Sequence, residues 1–148
     1  MRNPKSRLIG ASGPQGLLQT FSPDGRWLAF PSNQTGTSEI YLMGFPGGTQ
    51  RHRISTNGGT QPRWQQDGKE LFFVGGDGSM MSTDISATGE LRTGVPKPLF
   101  HPNLRLGSDK ALYDVTAGGQ RFLVIDGEIR FADSDIEMVL NWPSLLPR

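Results

Sequence analysis

The chain has 148 residues, enough for one domain with a core of its own. Gly (20) and Pro (11) are abundant against a 34% hydrophobic content, which suits short strands joined by tight turns and argues against helix bundles. The formal charge is +1 with no basic face or Arg-rich run, which argues against nucleic acid, and the absence of Cys excludes disulfides, Cys-ligated zinc, iron–sulfur clusters and thiol catalysis.

The opening stretch, 1–16, starts basic but holds no apolar run of signal-peptide length. It reads as a linker or the remnant of a preceding repeat. No segment approaches the roughly 20 apolar residues of a membrane span, so the chain is expected to be soluble. The compartment stays open between cytoplasm and periplasm.

From residue 17 onward one phrase recurs. Phe21-Ser-Pro-Asp-Gly-Arg-Trp-Leu-Ala-Phe30 is followed by Trp64-Gln-Gln-Asp-Gly-Lys-Glu-Leu-Phe-Phe73 and by a degraded copy, Val115-Thr-Ala-Gly-Gly-Gln-Arg-Phe-Leu-Val124. Gly25 and Gly68 lie 43 residues apart, and Gly68 and Gly119 lie 51 apart. Such a period marks a repeat architecture. Asp-Gly between strand-forming residues predicts a hairpin, since Gly accepts positive φ at no steric cost. Strands are expected after each turn at 26–30, 69–74 and 120–125. Their nearly consecutive apolar residues suit strands covered on both faces.

A third strand is expected at 39–43, 79–83 and 136–142, and a weaker fourth at 51–55 and near 98–100. Each unit is then a four-stranded antiparallel meander of about 40 residues, the pattern of a β-propeller blade. The units are drawn at 17–56, 57–100 and 101–142, with a tail at 143–148. A plain β-sandwich is the alternative, and the recurring turn phrase speaks against it.

These residues resemble a known family. Phe-Ser-Pro-Asp-Gly-Arg-x-Leu-Ala-Phe followed by Glu39-Ile-Tyr-Leu-Met43 is similar to the WD-like propeller repeat of the TolB type. The run Asn57-Gly-Gly-Thr-Gln-Pro-Arg-Trp-Gln-Gln-Asp-Gly-Lys-Glu-Leu-Phe-Phe73, the segment from Tyr113 to Leu123 and the Val139-Leu-Asn-Trp142 tail resemble the last blades of propellers that follow bacterial Ser/Thr protein kinase domains. The resemblance implies a non-catalytic module for protein–protein interaction or sensing. Gly118 where the third copy would carry Asp, and Pro143 after the tail Trp, depart from the pattern.

Three units are too few to close a ring of ordinary blades, which number four to eight. An open stack would leave bare apolar faces at both ends. The expectation is a C-terminal piece of a longer propeller; two copies closing one ring, or a non-propeller arrangement, are the alternatives. Expected partners are a protein or peptide, together with the remaining blades or a second copy of the chain.

No residue set meets the demands of catalysis, cofactor binding or metal binding. Ser12 lacks a nucleophile elbow, and kinase signatures are missing. His52 and His101 belong to no zinc spacing and read as solvated blade-edge residues. Asp24 and Asp67 read as turn residues that cap their own backbone two residues on. Asp133, Asp135 and Glu137 lack the Gly and closing Glu of a calcium loop and read as a solvated turn. The pairs Gly47-Gly48, Gly58-Gly59, Gly75-Gly76 and Gly118-Gly119 read as turns and form no phosphate-binding loop. Trp27, Trp64 and Trp142 with Tyr41 could floor an aromatic site, but Trp64, at a repeat-equivalent position, reads as core. The competing functions are the propeller part of a prolyl-oligopeptidase-like peptidase and a propeller enzyme acting on sugars or lactones.

Overall fold

The hairpin turns decide the local structure, and all three copies of the phrase make the same one. Residues 18–102, 113–125 and 136–140 are described by this computed structural model. Gly25, Gly68 and Gly119 hold φ of 71°, 73° and 68°, the left-handed region that only Gly enters freely. Each donates its N–H to the carbonyl three residues earlier, on Ser22, Gln65 and Thr116, at 2.8, 2.9 and 2.8 Å. Those same three residues donate their own N–H groups five residues onward, to Trp27, Glu70 and Arg121. Gly118 therefore leaves the backbone turn intact although it removes the Asp side chain.

Three antiparallel sheets follow among the described residues, and no helix. The first runs β1 (Thr20–Phe21), β2 (Trp27–Ser32), β3 (Glu39–Gly44), β4 (Arg51–Arg53) in spatial order. The second runs β5 (Gly59–Trp64), β6 (Glu70–Gly75), β7 (Met80–Ser86); two short strands, β8 (Arg92–Thr93) and β9 (Lys97–Phe100), share the far edge of β7. The third runs β10 (Tyr113–Val115), β11 (Arg121–Ile125), β12 (Ile136–Leu140). The strands expected after each turn, and those expected third, are all present. β7 extends past the expected 83 to Ser86, and β8 was not anticipated. The expected stretches 1–16 and 143–148, Pro143 and the end of the strand drawn to 142 lie outside the described residues.

The core has two compartments with the second sheet between them. Strand alternation sends neighbouring residues to opposite faces. Leu71 and Phe73 point to one side and join Ala29, Ile40, Leu42, Ile54 and Ile85. Phe72 and Val74 point to the other and join Met80, Leu99, Tyr113, Phe122 and Val124. All four consecutive β6 residues are buried, as the unbroken apolar run implied. The Phe72 and Phe122 rings meet edge-on at 5.1 Å, a favourable aromatic geometry.

Polar links tie adjacent sheets together. The buried Glu39 carboxylate accepts the Gly58 N–H at 3.1 Å, the Arg53 Nη2 at 3.1 Å and the Ser55 hydroxyl. Gly58 opens the next unit, so Glu39 clasps the first sheet to the second. Gly59 donates its N–H to the Ser38 carbonyl at 2.7 Å, and the Ser38 hydroxyl donates to the Gly59 carbonyl at 3.0 Å. Between the second and third sheets, the buried Tyr113 hydroxyl donates to the Gln61 carbonyl at 2.7 Å. Gln61 itself carries φ 55° at a register shift between Thr60 and Arg63. That bulge accommodates Pro62, which has no N–H for a ladder bond.

Candidate binding cleft

At one end of the sheets lie the turns joining the first two strands of each unit. Here the repeats differ in how each turn meets the next, and a cleft lies beside the first two. Between the second and third units the turns touch: Gln65 Nε2 donates to the Gly118 carbonyl at 3.0 Å and the Gln66 N–H to the Ala117 carbonyl at 3.4 Å. In the first unit the equivalent residues are Ser22 and Pro23. Ser22 is engaged locally, its hydroxyl donating to Asp24 Oδ1 at 2.6 Å while accepting the Trp27 N–H at 3.0 Å. Pro23 has no N–H to offer. Neither makes a hydrogen bond to the next turn; Pro23 only packs beside Gly68, its Cδ 3.6 Å from where a Cβ on that glycine would stand, and a cleft of about 520 Å³ lies between the first two units.

Trp27, Trp64, Pro23 and Ile85 give this cleft apolar walls. Trp64 packs against the first core compartment and its Nε1 donates to the Thr20 carbonyl at 3.3 Å. Its expected core role holds, and it also faces the cleft. Trp27 packs on the same compartment, but its Nε1 is buried with no hydrogen-bond acceptor. A buried donor left without an acceptor costs about 1–3 kcal/mol. Tyr41 pairs with Phe30 on the other face of the first sheet, away from this cleft, and stacks on it at 6.1 Å. Trp142 lies outside the described residues.

The rim is charged with both signs, from Asp24, Asp67 and Asp84 against Arg26 and Lys69. Asp24 and Asp67 cap as expected: Oδ1 accepts the Arg26 N–H at 3.0 Å in one turn and the Lys69 N–H at 2.9 Å in the other. The Ser22 hydroxyl first, then the Arg26 N–H, hold the Asp24 carboxyl below the ordinary carboxylate range. Asp84 Oδ2 lies 3.8 Å from Lys97 Nζ, an exposed pair.

The remaining sequence candidates do not assemble around the cleft. His52 is half-buried, its ring edge-on to Trp27 at 6.1 Å. It was expected to be solvated, but on β4 alternation turns Arg51 and Arg53 outward and His52 inward. His101 is exposed, with Nε2 2.9 Å from the Asp77 carbonyl oxygen. Asp77 accepts the Ser79 N–H at 2.9 Å and the Ser79 hydroxyl at 3.0 Å, which keep its carboxyl low. Among the described residues no three His, Asp or Glu converge on a position that would hold a metal ion. Ser12, Asp133 and Asp135, and the side chain of Glu137, lie outside the described residues. Sequence reasoning missed the Glu39 clasp and the cleft itself. The one available signal for the cleft was the Ser-Pro to Gln-Gln difference between the first two turns.

No family model matches the sequence, and no curated protein does. Among solved structures, an oligogalacturonate lyase from Vibrio parahaemolyticus is similar at TM-score 0.49 and 15% identity, over 76% of this chain and 31% of its own. A TolB from Acinetobacter baumannii is similar at TM-score 0.59 and 24% identity, over 85% of this chain and 30% of its own. This chain therefore spans less than a third of that TolB. With antiparallel sheets, no helix among the described residues and this likeness to TolB, the chain has an all-β, propeller fold.

Proposed function

We propose that this chain is a non-catalytic docking module that takes a peptide or protein segment into the cleft between its first two turns. The observation that carries the reading is the cleft itself, apolar at its walls and charged at its rim. Loops held at one end of a rigid sheet stack suit recognition. An extended segment entering the cleft would set apolar side chains against Trp27 and Trp64 and its charged groups against the rim. By motif resemblance the module belongs with the propellers that follow bacterial Ser/Thr kinase domains, and the coding sequence upstream tests that part directly.

The docking reading is tested by cross-linking in a lysate of the source cells, comparing the chain with an Arg26→Glu/Lys69→Glu variant. A protein cross-linked to the first and lost from the second supports it. Failure to recover any such protein, together with turnover of a peptide or sugar substrate by the chain, would overturn it.

A further inference from the structure

The junction between the first two sheets holds a pair of residues with a chemistry of its own. Among the Asn residues of the chain only Asn57 precedes a Gly. A Gly nitrogen has no side chain beside it to hinder attack on a nearby carbonyl carbon. In an Asn-Gly pair that carbon is the Asn side-chain Cγ, and the attack closes a five-membered ring. Asn57 is exposed, and with Gly58 it borders a pocket of about 340 Å³. The pair stands at the far end of the sheets from the cleft, where β5 begins with Gly59 opposite Gly75.

In the folded chain the peptide group between the two residues is held at both ends. Its N–H, on Gly58, donates to the buried Glu39 Oε1 at 3.1 Å, and its carbonyl, on Asn57, accepts the Gly76 N–H at 3.2 Å. Ring closure puts a bond from the Gly58 nitrogen to Asn57 Cγ in the place of that N–H bond. Glu39 Oε1 and Asn57 Cγ therefore compete for one side of the same nitrogen, and the ring forms only when the clasp lets go. Local openings of this kind occur without global unfolding.

We propose that Asn57 is a site of spontaneous covalent modification, a deamidation gated by the Glu39 clasp. The Gly58 nitrogen loses its proton to a solvent base and bonds to Asn57 Cγ; the Cγ–Nδ2 bond breaks, and its electron pair leaves on nitrogen as ammonia. Water then opens the cyclic imide. Entering at Cγ, it leaves an ordinary aspartate. Entering at the main-chain carbonyl, it leaves an isoaspartate, whose main chain runs through the side chain and is one carbon longer. In sum water is taken up, ammonia is released, and nothing is oxidised or reduced. The junction has no room for the longer chain: a Cβ on Gly58 would stand 2.8 Å from Gly76 Cα, and one on Gly76 would overlap the Asn57 carbonyl oxygen. Isoaspartate also puts a carboxylate where the Gly76 N–H met a carbonyl. An opening of the junction is thus recorded in the covalent structure, and the junction closes less well afterwards.

Ageing at mildly alkaline pH tests this, read by peptide mass mapping and by enzymatic methylation of isoaspartate. Unfolded in guanidinium chloride, the chain should lose Asn57 before any other Asn. Folded, it should lose Asn57 at least about tenfold more slowly. Glu39→Gln, confirmed as folded by far-UV circular dichroism, should shorten the folded half-life about threefold or more. The unaltered chain gives a second reading that needs no variant: below the unfolding midpoint, Asn57 loss should rise with guanidinium in step with hydrogen exchange at the Gly58 amide. Equal rates in the folded and unfolded chain, or another Asn reacting first, would overturn the proposal. So would a folded Glu39→Gln variant that reacts no faster, or Asn57 loss that does not follow Gly58 exchange. The cleft takes no part in this reaction, so the docking reading stands or falls separately.

Discussion

Replacing Glu39 with Gln should cost more stability than removing its salt-bridge partner, although only the salt bridge is visible as an ion pair. The Glu39 side chain is 4% exposed and that of Arg53 46% exposed. Glu39 accepts from three donors, the Gly58 N–H, Arg53 Nη2 and the Ser55 hydroxyl. A Gln amide presents its own N–H groups to one of them. Ser55 has little freedom to adapt, because its oxygen already accepts the Ile40 N–H at 2.8 Å. Hydrogen bonds to a charged group are worth about 1.5–3 kcal/mol net, so Glu39→Gln should lose about 2–3 kcal/mol. Arg53→Ala loses a largely exposed pairing and should cost only about 0.5–1 kcal/mol. For a chain of this size the first loss corresponds to a melting point about 4–12 °C lower. Urea unfolding followed by far-UV circular dichroism, with midpoint and slope fitted together, measures both. If Arg53→Ala costs as much as Glu39→Gln, or Glu39→Gln costs under about 0.5 kcal/mol, the clasp between the sheets is not what Glu39 supplies.

Three further outcomes are expected. Gly119→Ala should destabilise more than Gly25→Ala: both hold positive φ, worth about 1–2 kcal/mol against Ala, but a Cβ at Gly119 would also sit 3.1 Å from Gln65 Nε2 and Phe72 Cζ, while one at Gly25 meets nothing within 4 Å. Paired urea melts of the two variants decide this, and equal losses would count against it. Ser82 is fully buried with its hydroxyl unpartnered, so Ser82→Ala should raise stability by about 1 kcal/mol, and a loss in the same melts would show that the hydroxyl has a partner. Burial pushes the Tyr113 phenol well above its ordinary 10.0; the unfolded phenol ionises there and the folded one does not, so this contribution is present below pH 10.0 and falls as pH rises further. Urea midpoints of the chain and of Tyr113→Phe between pH 9 and 11 should converge as pH rises, and parallel curves would refute the assignment.

The turns and the middle strands were legible because their signals are local. Asp-Gly fixes a hairpin through Gly's backbone freedom and the Asp cap, and Leu71 to Val74 can only be a strand covered twice. β5 was harder to see. Gly59, Gln61 and Pro62 are poor strand formers, and only the bulge and the neighbouring sheets make them one. β8 was missed because two residues, Arg92 and Thr93, carry no periodicity. The cleft depends on which turn residues reach their neighbours: Gln65 does and Ser22 does not, a tertiary fact written in no single repeat. Glu39 reads as an ordinary strand-end acid until Gly58 is brought beside it.

The double burial of β6 carries one more consequence. Leu71-Phe-Phe-Val74 is a short, uncharged, β-favouring run, the composition of a segment that stacks into intermolecular sheets when exposed. Both its faces are hidden only while the first and third sheets are in place, so peeling away either neighbour bares half of it. Lys69 and Glu70 before the run, and Gly75, Gly76 and Asp77 after it, act as gatekeepers against that misassembly. Conditions that loosen an outer sheet should therefore lead this chain towards aggregation before they lead it to full unfolding.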